Sequence, residues 1–139
     1  MPVFSWQGTS PEGKTVDDLV DFTDILPTLC DLAGAEIPGN LDPDGRSFLP
    51  QLKGKKGRPR KSIFFHYWER GRNQERAREM ARDHRYVLFN NGDFFNLEND
   101  IDQESPLDYG ELSRQEKKIH KKLQQALESS GSLNINNTP

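Results

Sequence analysis

Residues 17–54 read DDLVDFTDILPTLCDLAGAEIPGNLDPDGRSFLPQLKG. Asp24 is a good side-chain cap, and it places Pro27 at the third helical position, where a missing N–H breaks no intrahelical bond. Leu26, Leu29, Cys30 and Ala33 then fall on one face at helical spacing, widened by Ile25 and Leu32. The pattern predicts a helix over 25–33, buried on most sides and ended by Gly34 in the left-handed region. Asp42-Pro43-Asp44-Gly45 reads as a turn, with the glycine at its tight position. Ser47 repeats the cap three residues before Pro50, so a short helix over 48–53 is expected, stopped by Gly54.

Outward from this stretch the pattern changes. Residues 2–6 suit a short strand, Gly8, Pro11 and Gly13 mark a loop, and Val16 to Phe22 alternates loosely as an extended segment. Beyond the basic loop Lys53 to Lys61, periodicity switches to that of a small antiparallel sheet. Ile63 to Trp68 and, more weakly, residues 77–82 are strand candidates. Arg85 to Phe89 and Phe94 to Leu97 join through Asn91-Gly92, a strong hairpin signal. Glu98 to Asp108 is an acidic loop. Ser113 and Glu116 form a capping box ahead of a helix over 114–128. Leu112, Ile119, Leu123, Ala126 and Leu127 make its apolar stripe, expected to lie across one sheet face. Residues 129–139 read as a disordered tail. The resulting organisation is 1–60, 61–128 and a tail, and no repeat is visible.

The chain has 139 residues, of which 32% are hydrophobic. That suits one domain, or a piece of a larger one, with a small core and some apolar surface meant for a neighbour. A net charge of −3 argues against long-range attraction to nucleic acid. The lone Cys30 permits no internal disulfide. No run of 18 apolar residues exists to span a membrane, and the start MPVFSWQG lacks the features of a signal peptide.

Three blocks of the chain resemble the later part of arylsulfatase-type sulfatases, the formylglycine-dependent family. The first is Pro2 to Gly13, similar to a strand followed by a W-P-G loop, with Gln7 where that pattern has proline. The second runs from Asp21-Phe22-Thr23-Asp24-Ile25-Leu26-Pro27-Thr28-Leu29 through Ala33-Gly34 to Asp44-Gly45-Arg46-Ser47-Phe48-Leu49-Pro50. The third is Arg85-Tyr86-Val87-Leu88, then Asp93-Phe94-Phe95-Asn96-Leu97-Glu98-Asn99-Asp100, with Ile101 in place of a usual proline. The resemblance covers roughly residues 1–128. It implies an α/β parent of the alkaline-phosphatase-like fold. Residues 1–60 would be the edge of its large domain, contributing an edge strand and a buried helix. Residues 61–128 would be a four-stranded antiparallel subdomain packed by the C-terminal helix.

The resemblance also implies a chemistry. The family turns a Cys or Ser within C/S-x-P-x-R into an aldehyde whose hydrate attacks sulfur. Calcium polarises the sulfate, and lysine and histidine steady the charge. None of these groups can be placed on this chain, so no cofactor is expected in it, and the partner it implies is a missing N-terminal catalytic domain. Cys30 sits in Leu29-Cys30-Asp31-Leu32-Ala33 with no proline or arginine at the needed offsets, which makes it a small core hydrophobe. The resemblance implies an exported, periplasmic or lysosomal parent acting on aryl or carbohydrate sulfates.

Three candidate functions remain for particular residues. His66, at a strand end among aromatics and charge, with Arg70 and Arg78, is the candidate lining for an anionic substrate; a solvated surface histidine is the plainer reading. Asp100, Asp102, Glu104, Asp108 and Glu111 follow an EF-hand-like count, but Ser105 stands where glycine is needed, so a solvated acidic loop is expected. Lys53, Lys55, Lys56, Arg58, Arg60 and Lys61 form a basic cluster, and Arg70 to Arg85 another. They carry the alternative of a stand-alone binding module for sulfated or other anionic glycans.

Overall fold

The computed structural model describes residues 10–41, 43–67 and 78–129. The chain divides into two units, Met1–Arg60 and Lys61–Pro139. The expected strand over 2–6, Asp42, Trp68, residue 77 and the tail from 130 lie outside the described residues.

In the first unit the predicted helix forms as α1, Ile25–Ala33. Gly34 ends it at φ 65° and ψ 26°, and Ala35 N–H donates to Cys30 O at 2.9 Å. The capping logic is displaced by one turn. Asp21 caps a 3-10 turn, Phe22–Asp24, accepting from Thr23 N, and Asp24 stands at the N-cap of α1 without capping it. The short helix α2 spans Leu49–Leu52, with Ser47 Oγ accepting from Leu49 N at 3.2 Å and Gly54 closing it at φ +73°. Val16 to Phe22 is less extended than expected. Among the described residues it makes a single bridge, Leu19 with Arg60, before the 3-10 turn begins.

The burial of α1 departs from expectation. Pro27 and Thr28 are its buried residues, while Leu26 is 45%, Leu29 56% and Leu32 37% exposed, and Phe22 ahead of it is 89% exposed. The face that packs within the chain is polar. Thr28 Oγ1 accepts from Phe48 N at 3.1 Å, and Asp31 Oδ2 accepts from Ser47 Oγ at 2.7 Å. At 3.6 residues per turn, Asp24, Thr28 and Asp31 share one face, and Phe22, Leu26, Leu29 and Ala33 lie opposite. The expectation of a helix buried on most sides is therefore corrected: its apolar face is open in this chain.

The second unit is a meander of four antiparallel strands, in spatial order β1 (Ile63–Tyr67), β2 (Arg78–Arg82), β3 (Tyr86–Phe89) and β4 (Phe94–Asn96). The Asn91-Gly92 hairpin forms, with Gly92 at φ 94° and its N–H donating to Phe89 O at 3.0 Å. Strand alternation divides the apolar residues. Ala81, Tyr86, Leu88 and Phe94 pack with Leu112, Leu123 and Leu127 of the helix side, while Val87, Phe95 and Leu97 form a second buried cluster on the opposite face. Helix α3, Arg114–Ser129, starts at the predicted capping box: Ser113 N–H donates to Glu116 Oε2 at 2.9 Å and Glu116 N–H to Ser113 Oγ at 3.2 Å. Tyr86 O–H reaches Glu116 Oε1 at 3.2 Å, so a buried phenol finds its partner.

Candidate functional site

His66 and Glu79 are directly opposed in the β1–β2 register, as are Tyr67 and Arg78. Residues opposed across a ladder share a sheet face, and neighbours along a strand alternate. His66 and Glu79 therefore share the face of Phe64 and Ala81, the α3 side. Tyr67 and Arg78 project from the other face, with Phe65 and Met80. The structure places His66 and Arg78 at one end of the hairpin but on opposite faces. Arg70 lies outside the described residues.

His66 Nδ1 is 3.0 Å from Glu79 Oε1, with the histidine side chain 33% and the carboxylate 7% exposed. A buried carboxylate is costly without a partner, and here the imidazole N–H supplies one. Donation from Nδ1 fixes the tautomer and leaves Nε2 as the nitrogen not engaged by Glu79. Glu79 escaped the sequence reading. Its signal was a charged residue at an inward position, two before Ala81, in a strand whose alternation is weak. Around this end the surface is aromatic, with Phe65 51% and Tyr67 55% exposed.

The acidic loop serves its own backbone. Asp100 accepts from Glu104 N at 3.1 Å and Ser105 N at 2.9 Å, bonds that hold its carboxyl below the usual range. Asp108 accepts from Gly110 N at 2.7 Å. Among the described residues, no three His, Cys, Asp or Glu converge as a metal would require. Cys30 is a free thiol of intermediate exposure on α1.

A second polar cluster is more deeply built. The Asp24 carboxylate is 2% exposed and accepts from Arg60 Nε at 2.8 Å, Arg46 N at 2.7 Å and Asp21 N at 2.9 Å, with Arg60 Nη2 on its other oxygen. Burial alone would raise this carboxyl. The hydrogen bonds from Arg60, then from the Arg46 and Asp21 amides, outweigh it and hold the pKa low. Arg60 Nη2 also reaches Asp44 O at 3.2 Å. Every partner is internal, so this cluster is a clamp and not a binding site.

A family model described as N-sulphoglucosamine sulphohydrolase, C-terminal, matches residues 1–132. Arylsulfatase D of Homo sapiens is 32% identical over 81 residues, 58% of this chain and 13% of that protein. The ulvan-active sulfatase of Formosa agariphila is 43% identical over 53 residues, 38% of this chain and 10% of its own length. A solved 2-O GAG sulfatase superposes with a TM-score of 0.61 at 25% identity, covering 84% of this chain and 26% of that one. A structure in complex with its substrate D-glucosamine-2-N,6-O-disulfate gives 0.59 at 24% identity, covering 84% of this chain and 24% of that one. The chain thus spans about a tenth of the length of the curated relatives it matches.

Proposed function

Because this chain belongs to the sulfatase family, through its C-terminal domain and alkaline-phosphatase-like fold, we propose that it is the scaffold end of a sulfate-ester hydrolase and performs no chemistry alone. The observation that carries this reading is the inverted packing of α1. Its polar face is held within the chain, and Phe22, Leu26 and Leu29 are left in solvent. Each large apolar side chain gains roughly 1.5–3 kcal/mol on full burial. A stripe of this kind is matched to a partner surface, and the relatives are several times longer than this chain, because matched segments of 81 and 53 residues make up only 13% and 10% of them; the remaining body of such a protein would supply that surface. The nucleophile and the calcium would come from that body.

Within this reading, His66 is the residue of this chain nearest to a substrate role. Glu79 holds its Nδ1, a protonated ring would present Nε2–H to an anionic oxygen, and Tyr67 and Arg78 lie on the other face at the same strand ends. Arg70 belongs to the same proposal on sequence alone. The substrates are aryl or carbohydrate sulfates.

The test is direct. The purified 139-residue chain, given calcium and a chromogenic aryl sulfate, should show no turnover above the uncatalysed rate. Turnover that survives repurification would overturn the proposal.

A further inference from the structure

The loop that follows α2, Lys53-Gly54-Lys55-Lys56-Gly57-Arg58, is cationic, exposed and fixed in shape. We propose that it is an anion-gripping exosite that binds a sulfated polysaccharide through Lys55, Lys56 and Arg58. The choice of sulfated sugar rests on the sulfatase reading; the site itself does not.

The loop's backbone is held from both ends. Lys55 N–H donates to Pro50 O at 2.8 Å and Gly54 N–H to Gln51 O at 2.9 Å. Gly54 and Gly57 turn the chain at φ +73° and +58°, and Gly57 lies so close over the buried Gln51 amide that a Cβ there would collide with it. Downstream, Arg60 is tied to Asp24 and bridged to Leu19. Between these anchors Lys55, Lys56 and Arg58 are exposed, and among the described residues they make no ion pair. No acidic residue occurs from 53 to 61. A pre-ordered row of cations loses less entropy on binding than a flexible one. Lysine offers compact point charges, and arginine a fork that matches a tetrahedral oxyanion.

The composition also selects among polyanions. From 53 to 61 there is no aromatic residue, so no platform on which bases could stack. There is no bulky apolar residue to enter a bilayer. A chain of sulfated sugars needs neither.

The experiment measures binding of the 139-residue chain to a heparin-derived oligosaccharide across a salt series, against the K55Q/K56Q/R58Q variant, the single charge reversal K56E and, as a control in the exposed lysines of α3, K121Q/K122Q. Single-stranded DNA of similar charge and anionic phosphatidylserine vesicles serve as comparison ligands. Expected are salt-sensitive binding of wild type and of K121Q/K122Q, a loss of tenfold or more in the triple variant, and a shallower salt slope for it. Wild-type affinity in the triple variant and K56E overturns the exosite. So does DNA or vesicle binding as tight as that of the glycan. An equal loss in K121Q/K122Q also overturns it while leaving the sulfatase reading in place; aryl-sulfate turnover by the chain alone does the reverse.

Discussion

Asp24 holds together three segments that are distant in sequence. Its carboxylate gathers the amides of Asp21 and Arg46 and the guanidinium of Arg60; the carboxylate is buried at 2% exposure and the arginine side chain is 12% exposed. Removing one partner of such a pair strands the other. Asp24→Ala should cost about 3 kcal/mol or more, read as a lowered urea midpoint for the first unit, and Arg60→Lys should recover only part of it because the fork is lost. Because the folded pKa of Asp24 lies below its usual 3.8, the pair's stabilisation is complete above that pH and is lost as pH falls through the folded value. Sequence reading took Asp24 for a helix cap, since caps are local and legible, whereas a partner 36 residues away is not. Gly45 was assigned to a turn for conformational reasons. Its φ is not in the left-handed region, and what it provides is room, because a Cβ would meet the Thr23 carbonyl. Gly45→Ala should therefore lower the melting temperature even though alanine suits its backbone. In the second unit His120 lies edge-on between Phe94 and Tyr109, at 5.2 and 5.0 Å, and burial lowers its pKa from 6.5. The unfolded chain takes up that proton first, so stability should fall as pH drops below about 6.5. His120→Phe should flatten that part of the thermal-melt profile.

Elements were easier to read than their surroundings. Residues 25–33, the Asn91-Gly92 hairpin and the Ser113 capping box are fixed by spacing and local chemistry, and each stands where the pattern puts it. The stripe of α3 was legible for the same reason, as Leu123 and Leu127 are buried at 2% and 8% exposure. What periodicity cannot supply is the identity of the partner. A helix with an apolar face is assumed to turn it inward, yet α1 turns its Asp24, Thr28 and Asp31 face to its own chain. Leu29→Ser should accordingly change the stability of this chain by no more than about 0.5 kcal/mol, whereas Leu123→Ala in α3 should cost about 2–5 kcal/mol. Equal losses in a denaturant titration would mean that the α1 face is covered within the chain. The His66–Glu79 pair was half legible. The histidine stood out among aromatics, but the register that brings Glu79 beneath it depends on strand pairing.

At the scale of the whole molecule, the two units differ in what they bury. The sheet unit encloses apolar clusters on both faces, whereas the first unit is organised around a buried carboxylate and a few residues of α2. Motif order along the chain was enough to reach the sulfatase family, because those blocks mark the scaffold of the fold. The substrate was not legible. The three blocks that carry the resemblance place a helix, turns and a hairpin, and none of them contains His66, Arg70 or Arg78. Helix α1 has nine residues, is too short to persist by itself and exposes its best packing surface. Amide hydrogen exchange on the isolated 139-residue chain measures this directly. Weak protection across Ile25–Ala33, beside firm protection of β3, β4 and the Leu123–Leu127 turn of α3, is the predicted result. Protection of α1 equal to that of the sheet would contradict the claim that this helix is made to dock against a larger body.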